Sequence, residues 1–429
     1  MELDALYRSK RTEPAEIAGA IRPGWVCCTD IAGAYPAALM AAVAAAEGLE
    51  DVTLHTLLDT GPDPLRLGEV PGVRPVSWFS GGGLRQAVQS GRADLMPCYY
   101  RDMPGLFARY VRPDAFFTAV SPMDRHGYFS TGVCASNSEA LIAAARRIYL
   151  QVNDQMPRSL SGPQIHISQV TALCERSAPL PQPPPAAPDP VSQIIGGYIA
   201  QEVPDGATLQ LGIGAVPEAV GLALTDRRDL GIHTELFTDS MLALIEAGAV
   251  TNRRKPLYRG RTVATFAYGS RRMYDFIDDN PAFVLLGVDW VNDPAVIARH
   301  PNFISVNGAV EVDLFGQVCA ESAGTRHLSG TGGQADFVRG AVASEGGKSF
   351  IAFPSTARGG TVSRICAELS PGAVVTTSKN DVDCVVTEYG VARLRGRTLS
   401  QRARALIGIA HPRFREELTA QARARNILI

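Results

Sequence analysis

Apolar residues along this chain fall in short runs, and between the runs apolar and polar positions recur at helical spacing. In the first 180 residues the pattern predicts strands at GWVCC, DVTLHTLL and DAFFTAVS, and helices at AALMAAVAAAEGL and GLRQAVQSG. Further on it predicts a helix over SQIIGGYIAQEV and a strand over ATLQLGIG that turns into the helix PEAVGLALTD. RTVATFAYG, AFVLLGV, FISVNGAVEVD, SFIAFP, AVVTT and CVVTEYG follow as predicted strands. Apolar runs alternating with helical segments imply mostly parallel sheets with helices on their faces. The expected fold is therefore α/β, two open α/β domains, with the site in the cleft between them.

One segment interrupts the alternation. Residues 178–190, APLPQPPPAAPDP, hold seven prolines. Proline has no backbone donor and keeps the chain extended, so neither helix nor sheet continues through it. The expected organisation is an N-terminal domain at 1–177, a linker at 178–190 and a C-terminal domain at 191–429.

Composition removes several classes of function. The chain has 429 residues, 46% hydrophobic and 20% charged, with a formal net charge of −2. That balance offers no whole-chain attraction to nucleic acid or an anionic membrane. No run approaches roughly 18 apolar residues, and no signal-type leader opens the chain. The eight cysteines include no CxxC pair and no zinc-type cluster, so neither a disulfide framework nor a metal site is expected. A cytoplasmic protein is the resulting expectation.

Four stretches could carry chemistry. LQLGIGAVPEAVGLAL brackets a strand-to-helix turn with Gly212 and Gly214 ahead of Pro217. Such a turn admits a ligand to the backbone and offers helix N–H groups to an anion, although it lacks the third glycine of a dinucleotide fingerprint. HLSGTGGQADFVRGA places Gly330, Gly332 and Gly333 around one threonine ahead of Gln334, a loop able to aim several N–H groups at one oxygen. GIHTELFTDS sets Glu235 in a mostly apolar run between His233 and Asp239, either a paired acid or a nucleophile. In SVNGAVEVDLFGQVCAES, Glu311 and Asp313 alternate with Val312 and Leu314, so both acids share one strand face. Spacing alone does not choose between Glu235 and Glu311. The basic runs NRRKP (252–256) and RARALIGIAHPRFRE (402–416) read as solvated faces, from which an Arg or Lys could reach a nucleotide phosphate. The adjacent Cys27 and Cys28 show no base that would make a thiolate, and His126 in SPMDRHGYFS reads as a turn residue.

In this order the pieces resemble the acetyl-CoA hydrolase/transferase family, whose members include 4-hydroxybutyrate and butyrate CoA-transferases. The resemblance is carried by VSPMDRHGYFSTGV, YLQVNDQMPRSLSGPQIHIS, LQLGIGAVPEAV, GIHTELFTDS, VDWVNDPAVI, SVNGAVEVDLFGQVCAES, SGTGGQADFVRGA and VTEYGVARLRGRTLSQRARALIGIAHPRFRE. WVCCTDIAGAYPAAL departs from the glycine-rich strand end with which the family shapes its acyl pocket. The resemblance implies a CoA-transferase-like fold and makes Glu235 the catalytic residue. It implies that Gly212, Ile213, Gly214, Ala215 and Val216 line CoA, that Gly332 and Gly333 supply oxyanion and CoA contacts, and that Val310 and Lys379 are further CoA neighbours. The expected reaction is CoA transfer between a short-chain acyl-CoA and a carboxylate of the acetate, butyrate or 4-hydroxybutyrate class, ping-pong through a glutamyl-CoA thioester. CoA would be a substrate, with no permanently bound cofactor. The alternatives are hydrolysis with water as acceptor and transfer to a dicarboxylate of the itaconate type. A homodimer or larger homo-oligomer is also implied.

Overall fold

A computed structural model describes residues 2–58, 69–184 and 187–428. The predicted α/β alternation is what it contains, and its contacts cluster into two compact units. The first comprises 1–183 with 235–237 and 263–291; the second comprises 184–234, 238–262 and 292–429. Residues 185 and 186 of the proline-rich stretch lie outside the described residues, and its other residues up to Asp189 form neither helix nor strand.

The first unit is built on a seven-stranded parallel sheet. Its spatial order is Asp94–Leu95, Val73–Ser77, Val52–Thr56, Val26–Thr29, Ala115–Val120, Arg147–Val152 and Ala172–Glu175. Successive strands move outward one way from Val26–Thr29, then the chain returns and continues on its other side. These runs are buried on both faces, which is why they read as continuous apolar stretches. Leu39, Met40 and Val43 of the helix Ala37–Ala44 pack with Leu54, Phe117 and Tyr149, the last two rings stacked at 5.0 Å. The strand Thr262–Ala267 contributes to this unit through its residues from Val263 on: Thr265 O accepts from Ala135 N and Ser136 N, and Ala267 N donates to Val133 O.

In the second unit the strand order is Gly231–Phe237, Thr208–Leu211, Phe303–Asn307, Lys348–Ala352, Cys384–Thr387 and Gly390–Arg393, parallel apart from the last pair. The last three residues of Gly231–Phe237 are those that cluster with the first unit. Helix Pro190–Gln201 begins two residues before the predicted SQIIGGYIAQEV, inside the stretch read as linker: Asp189 accepts from Val191 N and Ser192 N at 2.9 and 3.0 Å, with proline at the first helical position. It lies so close to helix Ala215–Leu222 that a Cβ on Gly196 would meet the Ala219 backbone at 2.9 Å. Glycine there is a requirement of the packing. A separate cluster around Val312, Ile351, Ile365, Val385 and Leu406 fills the other part of the unit's core.

Two predicted strands differ. FISVNGAVEVD is two strands, Phe303–Asn307 and Glu311–Asp313, broken at Gly308. AVVTT is not a strand; only Thr377 makes an isolated bridge, to Val318. Val374 N donates to Ser322 Oγ and Thr376 Oγ1 takes Ala320 N while donating to Glu321, and the backbone N–H groups of Thr376 and Thr377 converge on one carbonyl, that of Val318, so no ladder propagates. No helix among the described residues is long and apolar enough to cross a membrane.

Candidate active site

In an open parallel sheet the ends of two neighbouring strands form a crevice where the strand order reverses, because the connections leave in opposite directions. The second unit reverses between Thr208–Leu211 and Phe303–Asn307. The residues just past both ends are the glycine turn at 212–214 and the Gly308–Val310 loop. Gly212 N donates to Val306 O at 2.9 Å, which ties the two ends together. Gly214 has φ +111°, a conformation that a side chain disfavours, and Ile213 beside it is 62% exposed. Below the turn, Gln210, Ser305 and Asn307 form a closed buried network, with Ser305 Oγ donating to Gln210 Oε1 at 2.7 Å.

The second glycine loop reaches the same place. Gln334 opens helix Gln334–Ala343, and its Nε2 donates to Gly308 O at 2.6 Å while Thr377 Oγ1 donates to its Oε1 at 2.9 Å. Hence Gly212–Val216, Gly308–Val310 and, through Gln334, Gly332–Gly333 lie past the carboxyl ends of the two central strands Thr208–Leu211 and Phe303–Asn307. Lys379 follows two residues after Thr377, and its carbonyl accepts from Arg402 at 2.6 Å. The N–H groups of Ile213, Gly214, Ala215, Gly308, Ala309, Gly332, Gly333 and Gln334 have no hydrogen-bond partner among the described residues. Unpaired donors converging on one crevice, two sets of them at helix amino termini, suit an anionic or carbonyl-rich ligand.

Glu235 stands on Gly231–Phe237, where every residue is buried except Glu235 itself, which is half-buried. The strand end is held in the first unit: Phe237 O accepts from Tyr268 N, and its ring packs against Phe283 at 4.9 Å. Tyr100 belongs to the same unit. Burial pushes its hydroxyl well above the ordinary range, and the negative charge of Glu235 adds to the rise, so the phenol stays protonated. Its Oη is 2.5 Å from Ser136 Oγ, which also accepts from Asn137 Nδ2 at 3.2 Å. Sequence reasoning missed Tyr100 and Ser136, since nothing in CYYRD or VCASNSE marks them.

The other candidates are engaged elsewhere. Glu311 accepts from Ser370 N and Oγ at 2.9 and 2.8 Å, and Asp313 accepts from Phe315 N, Gln317 N and Gln317 Nε2. Lys255, read from sequence within a solvated basic run, is instead buried and donates to Ile232 O and Arg261 O, both at 2.7 Å. Burial brings its pKa down to about 7. The hydrocarbon stem of a lysine can be swallowed by a core when carbonyls meet its head, which a charge-run pattern does not reveal. Burial pushes the Cys27 thiol up to about 12 and raises the Cys28 thiol well above its ordinary range, so neither is a thiolate. His126 is exposed in a turn, where its backbone N–H donates to Asp124 Oδ1.

Two parallel α/β units, one carrying a half-buried glutamate at a strand end and the other an open crevice of glycine turns, define a protein of the class that binds ligands at its strand ends. The chain belongs to the acetyl-CoA hydrolase/transferase family: that family's N-terminal domain matches residues 1–179 and its C-terminal domain residues 269–422. It is 46% identical over 421 residues to the succinyl-CoA:cyclohexane-1-carboxylate CoA transferase of Geobacter metallireducens, covering 98% of this chain and 96% of that protein. To the 4-hydroxybutyrate coenzyme A transferase of Clostridium kluyveri it is 48% identical, over 81% of each chain. Among solved structures, RipA from Yersinia pestis superposes with a TM-score of 0.94 at 39% identity, over 100% of both chains.

Proposed function

We propose that this CoA-transferase moves CoA between a short-chain acyl-CoA and a carboxylate, with Glu235 as the covalent nucleophile and the glycine crevice of the second unit as the CoA contact. The assignment of Glu235 is carried by its place in GIHTELFTDS, one of the stretches on which the family resemblance rests, and the rival acid Glu311 accepts from Ser370 N and Oγ. The relatives' names support the reaction class. Glu235 Oε attacks the thioester carbonyl, forming an acyl-glutamyl anhydride and CoA thiolate. The thiolate then attacks the Glu235 carbonyl, forming a glutamyl-CoA thioester as the first carboxylate leaves. An acceptor carboxylate attacks in turn, and the steps run in reverse. A carboxylate is a weak nucleophile, so binding of the remote CoA chain must supply the driving energy. Each tetrahedral intermediate carries an oxyanion, and an N–H donor aimed at it is worth roughly 3–4 kcal/mol in comparable sites. The proline-rich stretch 178–190 is the proposed linker between the 1–177 and 191–429 parts, Val310 and Lys379 are proposed CoA neighbours, and the assembly is a homo-oligomer.

The test is to mix the enzyme with acyl-CoA and no acceptor. Hydroxylamine or borohydride should then modify the peptide holding residue 235. Modification at 311 instead would exchange the two roles. Thioester loss with and without acetate separates transfer from hydrolysis, and a panel of monocarboxylate and dicarboxylate acceptors identifies the acyl class.

A further inference from the structure

The Gly308–Val310 loop is held from one side by side chains. Gln334 Nε2 donates to Gly308 O at 2.6 Å, Arg364 NH2 to Ala309 O at 2.5 Å, and Arg364 Nε to Val310 O at 3.0 Å. Three consecutive carbonyls are thus pinned by two residues far away in sequence. A trans peptide is planar, so the N–H of each residue points opposite to the carbonyl before it. Pinning Gly308 O therefore turns the Ala309 N–H away from Gln334, and pinning Ala309 O turns the Val310 N–H toward Cys319 O, which it meets at 2.7 Å. Glu311, next along, pairs with Cys319 in a short antiparallel ladder. The Ala309 N–H has no partner among the described residues, although Ala309 itself is 7% exposed. A buried, unpaired backbone donor costs roughly 1–3 kcal/mol unless something bonds it.

The clamping side chains are themselves held. Arg364 N donates to Ser355 O and Arg364 O accepts from Val312 N, both at 2.9 Å, while its guanidinium lies 5.3 Å over the Phe353 ring. Gln334 is fixed by Thr377. Arg364 makes no salt bridge among the described residues, although the charge of Glu388 acts on it; the forked guanidinium is what lets one side chain take two carbonyls at once.

We propose that Arg364 and Gln334 are positioning residues, which hold the Gly308–Val310 loop so that the Ala309 N–H donates to an oxygen of bound acyl-CoA. This rests on the reading of the crevice as the CoA contact. Neither side chain touches the reacting atoms; both act through the loop.

The variants are Arg364→Met, Arg364→Lys and Gln334→Met. Three quantities are read: CoA affinity by calorimetry, the acyl-CoA concentration that half-saturates thioester formation on Glu235, and the melting temperature. Arg364→Met should weaken CoA and raise the half-saturating concentration about tenfold, the equivalent of one well-made backbone N–H hydrogen bond. The saturated rate and the acceptor's KM should change less than about threefold. Arg364→Lys, which can serve one carbonyl, should recover part of the loss, and Gln334→Met should weaken CoA by a smaller factor in the same direction. Parent-like CoA affinity in folded Arg364→Met and Gln334→Met would overturn the clamp. So would a loss matched only by a smaller active fraction, which marks a merely structural role. If the Arg364 variants do not fold, Gln334→Met decides alone by the same criterion. Failure of the parent to form a thioester on Glu235 would sink the nucleophile assignment while leaving the calorimetric test of the clamp intact.

Discussion

The two units solve the same topological problem and treat the result differently. In each, the strand order reverses beside a central parallel strand. In the first unit the reversal lies between Val26–Thr29 and Ala115–Val120, and Asp30 fills it. That carboxylate is 1% exposed and accepts from Ser138 Oγ at 2.7 Å, Ile31 N at 3.0 Å, and Thr118 Oγ1 and Cys134 Sγ at 3.1 Å. Burial raises its pKa, and those four hydrogen bonds oppose the rise. In the second unit the equivalent place is lined by backbone at 213–215 and 308–309 whose N–H groups have no partner among the described residues. A reversal of strand order provides a crevice in either case; whether its donors are spent on a resident side chain or left over decides whether it is a brace or a binding site.

The largest expected effect concerns neither crevice. Glu235→Gln should lower transfer by at least about 1,000-fold, because an amide does not replace a carboxylate nucleophile. Glu235→Asp should cost on the order of 100-fold by shifting the nucleophile about 1 Å. Steady-state transfer assays on folded variants check both.

Asp30→Ala sharpens the contrast directly. It strands four donors in the first unit and should lower stability by about 3 kcal/mol in urea unfolding. CoA affinity should stay within about twofold. A large loss of affinity without destabilisation would make the Asp30 crevice a ligand site and end the contrast.

The pH dependence assigns one histidine to each unit. Burial lowers His55 to about 4, and its Nδ1 accepts from Trp78 Nε1 at 3.0 Å, which requires the neutral ring. Burial lowers His300 to about 3, where the ring lies against His233 and Phe303. Both folded values lie below the unfolded value near 6.5, so the unfolded chain binds the extra proton. The stabilisation is complete above about pH 6.5 and is lost as pH falls toward 4 and 3. Each histidine should account for about 2 kcal/mol between pH 6.5 and 5. His55→Gln and His300→Phe should each flatten that slope; an unchanged slope in both would refute the burial argument.

Gly214→Val places a β-branched residue at φ +111°, where a Cβ meets open space but the backbone is strained. It should weaken CoA about tenfold. Parent-like binding in a folded variant would move the CoA contact away from this turn. Arg271→Ala removes an exposed pair with Asp275 at 2.7 Å and should change stability by less than about 0.5 kcal/mol, the baseline against which the others are judged.

Much of this was legible from residue order. The α/β alternation and the two glycine turns rest on neighbours within a few residues of one another, so their signals survive in one dimension. Resemblance singled out Glu235, yet no periodicity separated it from Glu311, and the Ser370 that engages Glu311 lies 59 residues further along the chain. AVVTT has the apolar content of a strand, but the N–H groups of Thr376 and Thr377 converge on the Val318 carbonyl and no ladder propagates. Lys255 looked solvated because charge runs usually are, and three-dimensional packing supplied two carbonyls for its ammonium.

By itself, then, the sequence determined the alternation of most helices and strands, the parallel α/β class, the family, and where the glycine turns fall, because each follows from local sterics and short-range patterning. Only the tertiary structure decided that Glu235–Phe237 and 263–291 group with the first unit, that one strand reversal is closed by Asp30 while the other keeps its donors, and that Arg364 reaches Ala309 and Val310. Those outcomes depend on which distant donor meets which acceptor once water is excluded, and no local pattern encodes that pairing.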